Sequence, residues 1–244
     1  MKKLVLILND LPEVGKTSFS RVFEQFMARK KIDYLPVSTT ESTLGHPTYW
    51  NLEDELEVGH LISFLDQTAV TVIDVATGDG ATLVEFFNEE DVFELLIEME
   101  AELTVVIPAP NHESISDEVV AIGEAFADNA DYLIVREPVE FDEAEDSSWV
   151  GSYGEKVMDY MGAQVVEAPA MDVTMLAEIE EGNGMTLADS LADRSGLPRY
   201  LRDALHTWEL EYSECLAGAR ELFIPEESGS KSVYGSSLDS LVKG

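Results

Sequence analysis

The chain has 244 residues, 45% of them hydrophobic, enough for one sizeable domain with a real core. Its 15 Lys and Arg against 49 Asp and Glu leave a formal net charge of −34. That charge is repelled by nucleic-acid phosphates and anionic lipid head groups, so sequence-independent binding to nucleic acid by this chain alone is not expected. The acidity has two readings: solubility in a salty cytoplasm, or a basic protein partner. The spread of the charge, with no single acidic tail, favours the first. Cys215 is the only cysteine, which rules out an intrachain disulfide framework and a cysteine metal site. Met1-Lys2-Lys3 and the short apolar run after it do not make a signal peptide, and no stretch reaches the length of a membrane span. A soluble cytoplasmic protein is expected.

The first predicted strand is Leu4–Leu8. It runs into Asn9-Asp10-Leu11-Pro12-Glu13-Val14-Gly15-Lys16-Thr17-Ser18, after which a helical pattern begins. Strand, loop, Gly-Lys-Thr, helix is the context of a phosphate-binding P-loop. Glycine lets the backbone approach phosphate oxygens, and the amides that open the helix face the anion. The lysine reaches the terminal phosphates, and a threonine hydroxyl can ligate magnesium. The pattern G-x-x-x-x-G-K-[ST] wants glycine where Asp10 stands, and Glu13 adds a second carboxylate. An ordinary strand-turn-helix therefore stays open as the alternative. The expected loop contacts are Glu13, Val14, Gly15, Lys16, Thr17 and Ser18.

Phe19, Val22, Phe23, Phe26 and Met27 then form one apolar helix face. Residues 33–38 read as a short strand, at an edge because of Pro36, and 40–52 as a loop. An acidic helix over 53–66 leads into a buried strand, Ala69–Asp74. Further strands are expected at 103–107, 132–135 and 164–167, alternating with helical patterns over 81–99, 115–128 and 150–161. Such alternation predicts a doubly wound α/β fold, a mainly parallel sheet with helices on both faces. Residues 172–223 read as helical, interrupted near Gly182-Asn183-Gly184 and Gly196-Leu197-Pro198. Residues 1–224 are expected to form one domain and 225–244 a flexible Ser/Gly-rich tail, too poor in apolar residues for an amphipathic membrane helix.

Asp74 closes its strand and is followed by the turn Thr77-Gly78-Asp79-Gly80, the form of a Walker B element whose aspartate holds magnesium or its water. The alternative is a simple turn cap.

Together these residues resemble the ParA/MinD-like P-loop ATPases of the SIMIBI class, including relatives from plasmid partition and conjugation modules. Gly15-Lys16-Thr17 matches their opening. Val72-Ile73-Asp74-Val75-Ala76-Thr77-Gly78 is similar to their Walker B strand and Asp-x-x-x-Gly turn. Val105-Val106-Ile107-Pro108 and Asp131–Val135 correspond to their next strands. Ala168-Pro169 matches a position beside the base. The likeness runs over roughly residues 1–170, with only Gly-Lys-Thr specific. It implies ATP and Mg²⁺ as cofactors, Lys16 and Asp74 as catalytic groups, Thr17 and Asp74 as magnesium ligands, Pro169 at the base, and a homodimer.

The departures matter as much. The family's second lysine, which reaches across an ATP-bound dimer, is replaced by Leu11. Its intervening glycines are replaced by Pro12 and Glu13. Where a catalytic aspartate usually follows the second strand, this chain has Ser38-Thr39-Thr40-Glu41. The Walker A element is thus degenerate, and a weak ATPase acting as a switch for a protein partner is expected. The alternative is a non-hydrolysing scaffold. A small-molecule P-loop kinase ranks third, because residues 136–150 are acidic and contain only Arg136, which reads as a salt-bridged surface residue. The four histidines lack metal-site spacing, Cys215 reads as buried filler, and Leu201, Leu205, Trp208 and Tyr212 form an apolar helix face expected in the core.

Overall fold

The computed structural model describes residues 1–12, 15–41, 48–136 and 147–225. Within them one sheet is built from β1 (Lys2–Ile7), β2 (Tyr34–Ser38), β3 (Thr48–Tyr49), β4 (Val70–Asp74), β5 (Ala101–Pro108), β6 (Asp131–Arg136) and β7 (Gln164–Glu167). The strand order is β3-β2-β4-β1-β5-β6-β7, and every pairing is parallel. The helices are α1 (Lys16–Lys30), α2 (Val58–Gln67), α3 (Gly80–Glu89), α4 (Val92–Glu98), α5 (Ile115–Phe126), α6 (Tyr153–Tyr160), α7 (Val173–Ala177), α8 (Leu187–Ala192) and α9 (Arg199–Ala217).

Side chains alternate across a strand, so a parallel strand buried on both faces must be apolar at nearly every position. β1 shows the consequence. Leu4, Leu6 and Leu8 enter one core with Leu61, Leu83, Phe87 and Phe126 of α2, α3 and α5. Val5 and Ile7 enter the other with Phe23, Phe26, Leu205 and Leu216 of α1 and α9. Helices therefore cover both faces, as the alternating pattern predicts. The predicted apolar face of α1 is buried at all five positions. Leu201, Leu205 and Tyr212 are buried in the second core, with Trp208 and Cys215 half-buried against it.

Three sequence expectations shift. β2 is not the edge strand, because the two-residue β3 lies outside it. β3 pairs only with Val37 and Ser38, so Pro36, which lacks an N–H, is not asked to donate to it. The helix expected over 53–66 starts only at Val58, after a turn in which the Glu55 carbonyl accepts from the Trp50 indole at 2.9 Å. The pattern over 81–99 is two helices, divided where Asp91 takes a left-handed φ of 50°. The break lets Phe93 pack edge-on against Phe87, 5.5 Å between centroids. The helical stretch from 172 divides close to its predicted interruptions, with a π-helical turn, Glu178–Gly182, after α7. The expected tail from residue 226 onward lies outside the described residues.

One ion cluster ties α9 to α1. Glu209 is fully buried, and its carboxylate accepts from Arg29 at 3.1 Å and also from Arg194. Removing the cations from a buried carboxylate is far costlier than replacing the whole group with apolar atoms. The Arg29→Ala/Arg194→Ala double variant is expected to lose about 3–5 kcal/mol in urea unfolding. Adding Glu209→Leu is expected to restore most of that loss.

Candidate functional site

β1 and β4 are neighbours in register, Ile7 opposite Asp74, yet their outgoing connections run to opposite faces of the sheet. The chain after β1 enters α1 in one core, and the chain after β4 enters α3 in the other. A sheet splits its connections in this way at a topological switch point, where a crevice opens beyond the carboxyl ends of the strands. A cavity of about 370 Å³ occupies the α1 side of this place. Its walls come from α1 (Lys16, Thr17, Arg21), the end of β2 (Ser38, Thr40) and the turn after β4 (Asp74 to Thr77).

Gly15 caps α1 with φ 78° and ψ 15°, a left-handed conformation that a side chain would strain. No side chain among the described residues caps this helix, and the first amide bonded inside it is that of Phe19, to the Gly15 carbonyl. The amides of Lys16, Thr17 and Ser18 have no partner among the described residues and point out of the helix end, where the dipole favours an anion.

Lys16 is buried. Its ammonium donates to the Asn9 carbonyl and, at 2.9 Å, to Thr77 Oγ1. Both partners are neutral, and among the described residues no carboxylate comes within ion-pair distance of it. Burial draws its pKa below the usual lysine value, although the carboxylates of Asp10, Asp74, Glu118 and Asp79 pull the other way. Asn9, fully buried, holds this arrangement in place. Its amide donates to the Pro108 carbonyl at 2.7 Å and its Oδ1 accepts from the Leu11 amide at 2.8 Å.

Asp74 is half-buried by exposed area yet crowded by protein, and this desolvation pushes its carboxyl up to about 6. Ser20, Lys16 and Arg21 act against the shift. The Ser20 hydroxyl faces the carboxyl at a geometry too poor for a full hydrogen bond. Arg21 is buried in the cavity wall, with both Glu24 oxygens on its guanidinium at 3.1 and 3.0 Å. Thr39 links the end of β2 to the turn: its hydroxyl accepts from the Ala76 amide at 2.8 Å and donates to Asp79 at 2.5 Å.

Of the residues expected from sequence, Lys16, Thr17 and Asp74 line the one cavity, and Gly15 opens the helix beside them. Glu13 and Val14 lie outside the described residues. Ser18 is half-buried and is not in the cavity wall, and neither is Pro169, whose carbonyl accepts from the Trp208 indole at 2.8 Å. Leu11 packs against the core. Glu41 borders the cavity and is exposed, while Arg136 is ion-paired to Glu167 at 2.5 Å. Sequence reading missed Asn9, Thr39, Thr77 and Arg21. Only Asn9 left a signal, as a polar residue closing an otherwise apolar strand. Among the described residues no cluster of three or more acidic, His or Cys groups could hold a metal by itself. The Thr17 hydroxyl and Asp74 carboxylate suit a hard dication that takes its remaining oxygens from phosphate and water.

No family model matches the chain, and no curated protein matches it in sequence. Solved structures do. The cell division ATPase MinD of Pyrococcus furiosus aligns with a TM-score of 0.49 at 9% identity, over 90% of this chain and 100% of that one. The MinD cell division protein of Aquifex aeolicus aligns with a TM-score of 0.48 at 12% identity, over 89% and 98%. A Cyanothece McdA–ATP complex aligns with a TM-score of 0.43 at 12% identity, over 89% and 96%. At such low scores and identities, the functional reading rests on the chain's own residues.

The raised Asp74 carboxyl predicts a pH effect. The folded protein keeps this proton where the unfolded chain has released it, so the contribution is complete at low pH and is lost as pH rises to about 6. Asp74→Asn, neutral at every pH, is expected to stabilise the ligand-free protein above pH 7 by roughly 2–3 kcal/mol at most, with no gain near pH 4. Thermal unfolding across that range measures it.

Proposed function

We propose that this chain is a divergent ParA/MinD-like P-loop protein that binds a nucleotide with magnesium in the cleft between α1 and the turn after β4. The observation that carries this reading is the Lys16 ammonium, buried on two neutral oxygens beside an uncapped helix N-terminus. A buried cation whose partners among the described residues are all neutral is destabilising, and beside helix-opening amides with no partner among those residues it is suited to an incoming polyanion. In this reading the amides from Glu13 to Ser18 take phosphate oxygens, Lys16 moves from Asn9 onto the phosphate, and Thr17 and Asp74 hold magnesium. Pro169 flanks the base. Magnesium, when bound, neutralises charge on the phosphates.

Turnover would be slow. Phosphoryl transfer depends on positioning and on charge neutralisation, and a single supplied cation can be worth about 10³–10⁵ in rate. Leu11, where the family has its cross-dimer lysine, is half-buried against the core. The segment after β2 offers Thr39 and Thr40, with only Glu41 as a carboxylate. A weak ATPase in the cytoplasm, whose nucleotide state governs association with a protein partner or a second copy, is the function this supports. A basic partner would fit the net charge of −34.

One observation favours the second reading, a non-hydrolysing scaffold: the Asp10 side chain is already bonded to amides of the turn after β4. Calorimetry with ATP, ADP and GTP in magnesium tests the site. Binding is expected for at least one, weakened by more than about tenfold in Lys16→Ala. No heat with any of them contradicts the reading. Steady phosphate release that Lys16→Ala abolishes separates the switch from the scaffold.

A further inference from the structure

Asp10 stands where the P-loop pattern has its first glycine, and its side chain is not free in the loop. Its Oδ1 accepts from the Gly78 amide at 3.0 Å and the Gly80 amide at 3.3 Å, where α3 begins. Its own amide donates to Glu118 Oε1 at 2.7 Å, which fixes the backbone beneath it. The fit at Gly80 is tight: a Cβ there would lie 2.5 Å from Asp10 Oδ2. Gly78, at φ 94°, holds a turn that a side chain would strain. Thr77, the residue just before these amides, receives the Lys16 ammonium. The Asp10 carboxylate therefore sits on the turn that the tip of Lys16 reaches, the tip that serves the terminal phosphate in a P-loop.

We propose that Asp10 is a specificity-determining residue: its carboxylate is a built-in anion in the seat of a terminal phosphate, so the cleft takes a nucleoside diphosphate in preference to a triphosphate. The inference rests on the reading of the cleft as a phosphate site. Two groups of amides flank the Lys16–Thr77 contact, one at the start of α1 and one in the turn that follows Thr77. Those of Lys16, Thr17 and Ser18 have no partner within α1 and no side-chain cap among the described residues. Those of Gly78 and Gly80 are taken by Asp10. A diphosphate needs only the first group. A third phosphate would have to displace a carboxylate from two hydrogen bonds or lie beside it, and like charges in contact are strongly unfavourable. Asp10→Gly removes the anion and restores the P-loop glycine, while Asp10→Asn keeps the side chain's shape and its acceptor oxygen without the charge.

The test is calorimetry with ADP and with ATP, each with magnesium, on the full chain and both variants. The wild-type chain is expected to bind ADP at least about tenfold more tightly than ATP. In Asp10→Gly the ATP affinity is expected to rise by about tenfold or more, with ADP changing by less than about threefold. Asp10→Asn is expected to fall between the two, and it carries the test if the glycine variant fails to fold. An ATP-to-ADP ratio that is the same in all three proteins overturns the proposal and leaves the phosphate site standing. If no variant binds either nucleotide, the phosphate site falls and the proposal with it.

Discussion

An ammonium group taken out of water must find compensating charge or acceptors, or it weakens the fold that buries it. Lys16 is placed under that constraint by geometry. It is the first residue of α1, Gly15 turns the chain left-handed immediately before it, and its side chain runs back beneath the loop to the Asn9 carbonyl and Thr77. The surrounding carboxylates of Asp10, Asp74, Glu118 and Asp79 support its charge from a distance without pairing to it. The fold thus keeps a cation in a crevice with no direct anionic partner among the described residues. The walls of the cleft are arranged around that cation.

The sheet explains why the arrangement is possible. Because β1 lies between β4 and β5, the loop after β1 and the turn after β4 meet edge to edge while their helices depart to opposite faces. Lys16, Asp74, Thr77 and Asp10 are brought together although up to 67 residues of sequence separate them. Thr39 then joins the end of β2 to the same turn, so three adjacent strands contribute their carboxyl ends to one place. The same contacts restrict chemistry. Asp74 is desolvated enough to hold its proton up to about 6, and Asp10 fills amides that an external anion would otherwise use. A chain with these features fits a site tuned for binding better than one tuned for fast hydrolysis.

Much of this was readable from sequence because it follows from periodicity. Leu4–Leu8 is an apolar run and Val70–Ile73 is one broken only by Thr71, the pattern of strands covered on both faces, and the 19, 22, 23, 26, 27 spacing is that of one helix face. Gly15-Lys16-Thr17 and the Asp74 turn carried the site. What could not be read depends on contacts between distant segments. Asp10 reads as a defect of the loop until Gly78 and Gly80 are seen to receive it, and nothing in the sequence marks Arg21, which the fold buries in the cavity wall against Glu24. Pro36 suggested an edge because proline cannot donate to a ladder, but a two-residue neighbour that avoids it meets the same need. The break at Asp91 was hidden because no proline or glycine marks it, and across it the rings of Phe87 and Phe93 pack against each other.

A crystal structure of the chain grown with magnesium and ADP tests the central claim most directly. The account predicts a diphosphate lying on the amides of Lys16 and Thr17, with the Lys16 ammonium withdrawn from the Asn9 carbonyl and directed at phosphate oxygen. A structure in which Lys16 keeps its bonds to Asn9 and Thr77, with the cleft free of nucleotide at saturating ADP, would contradict it.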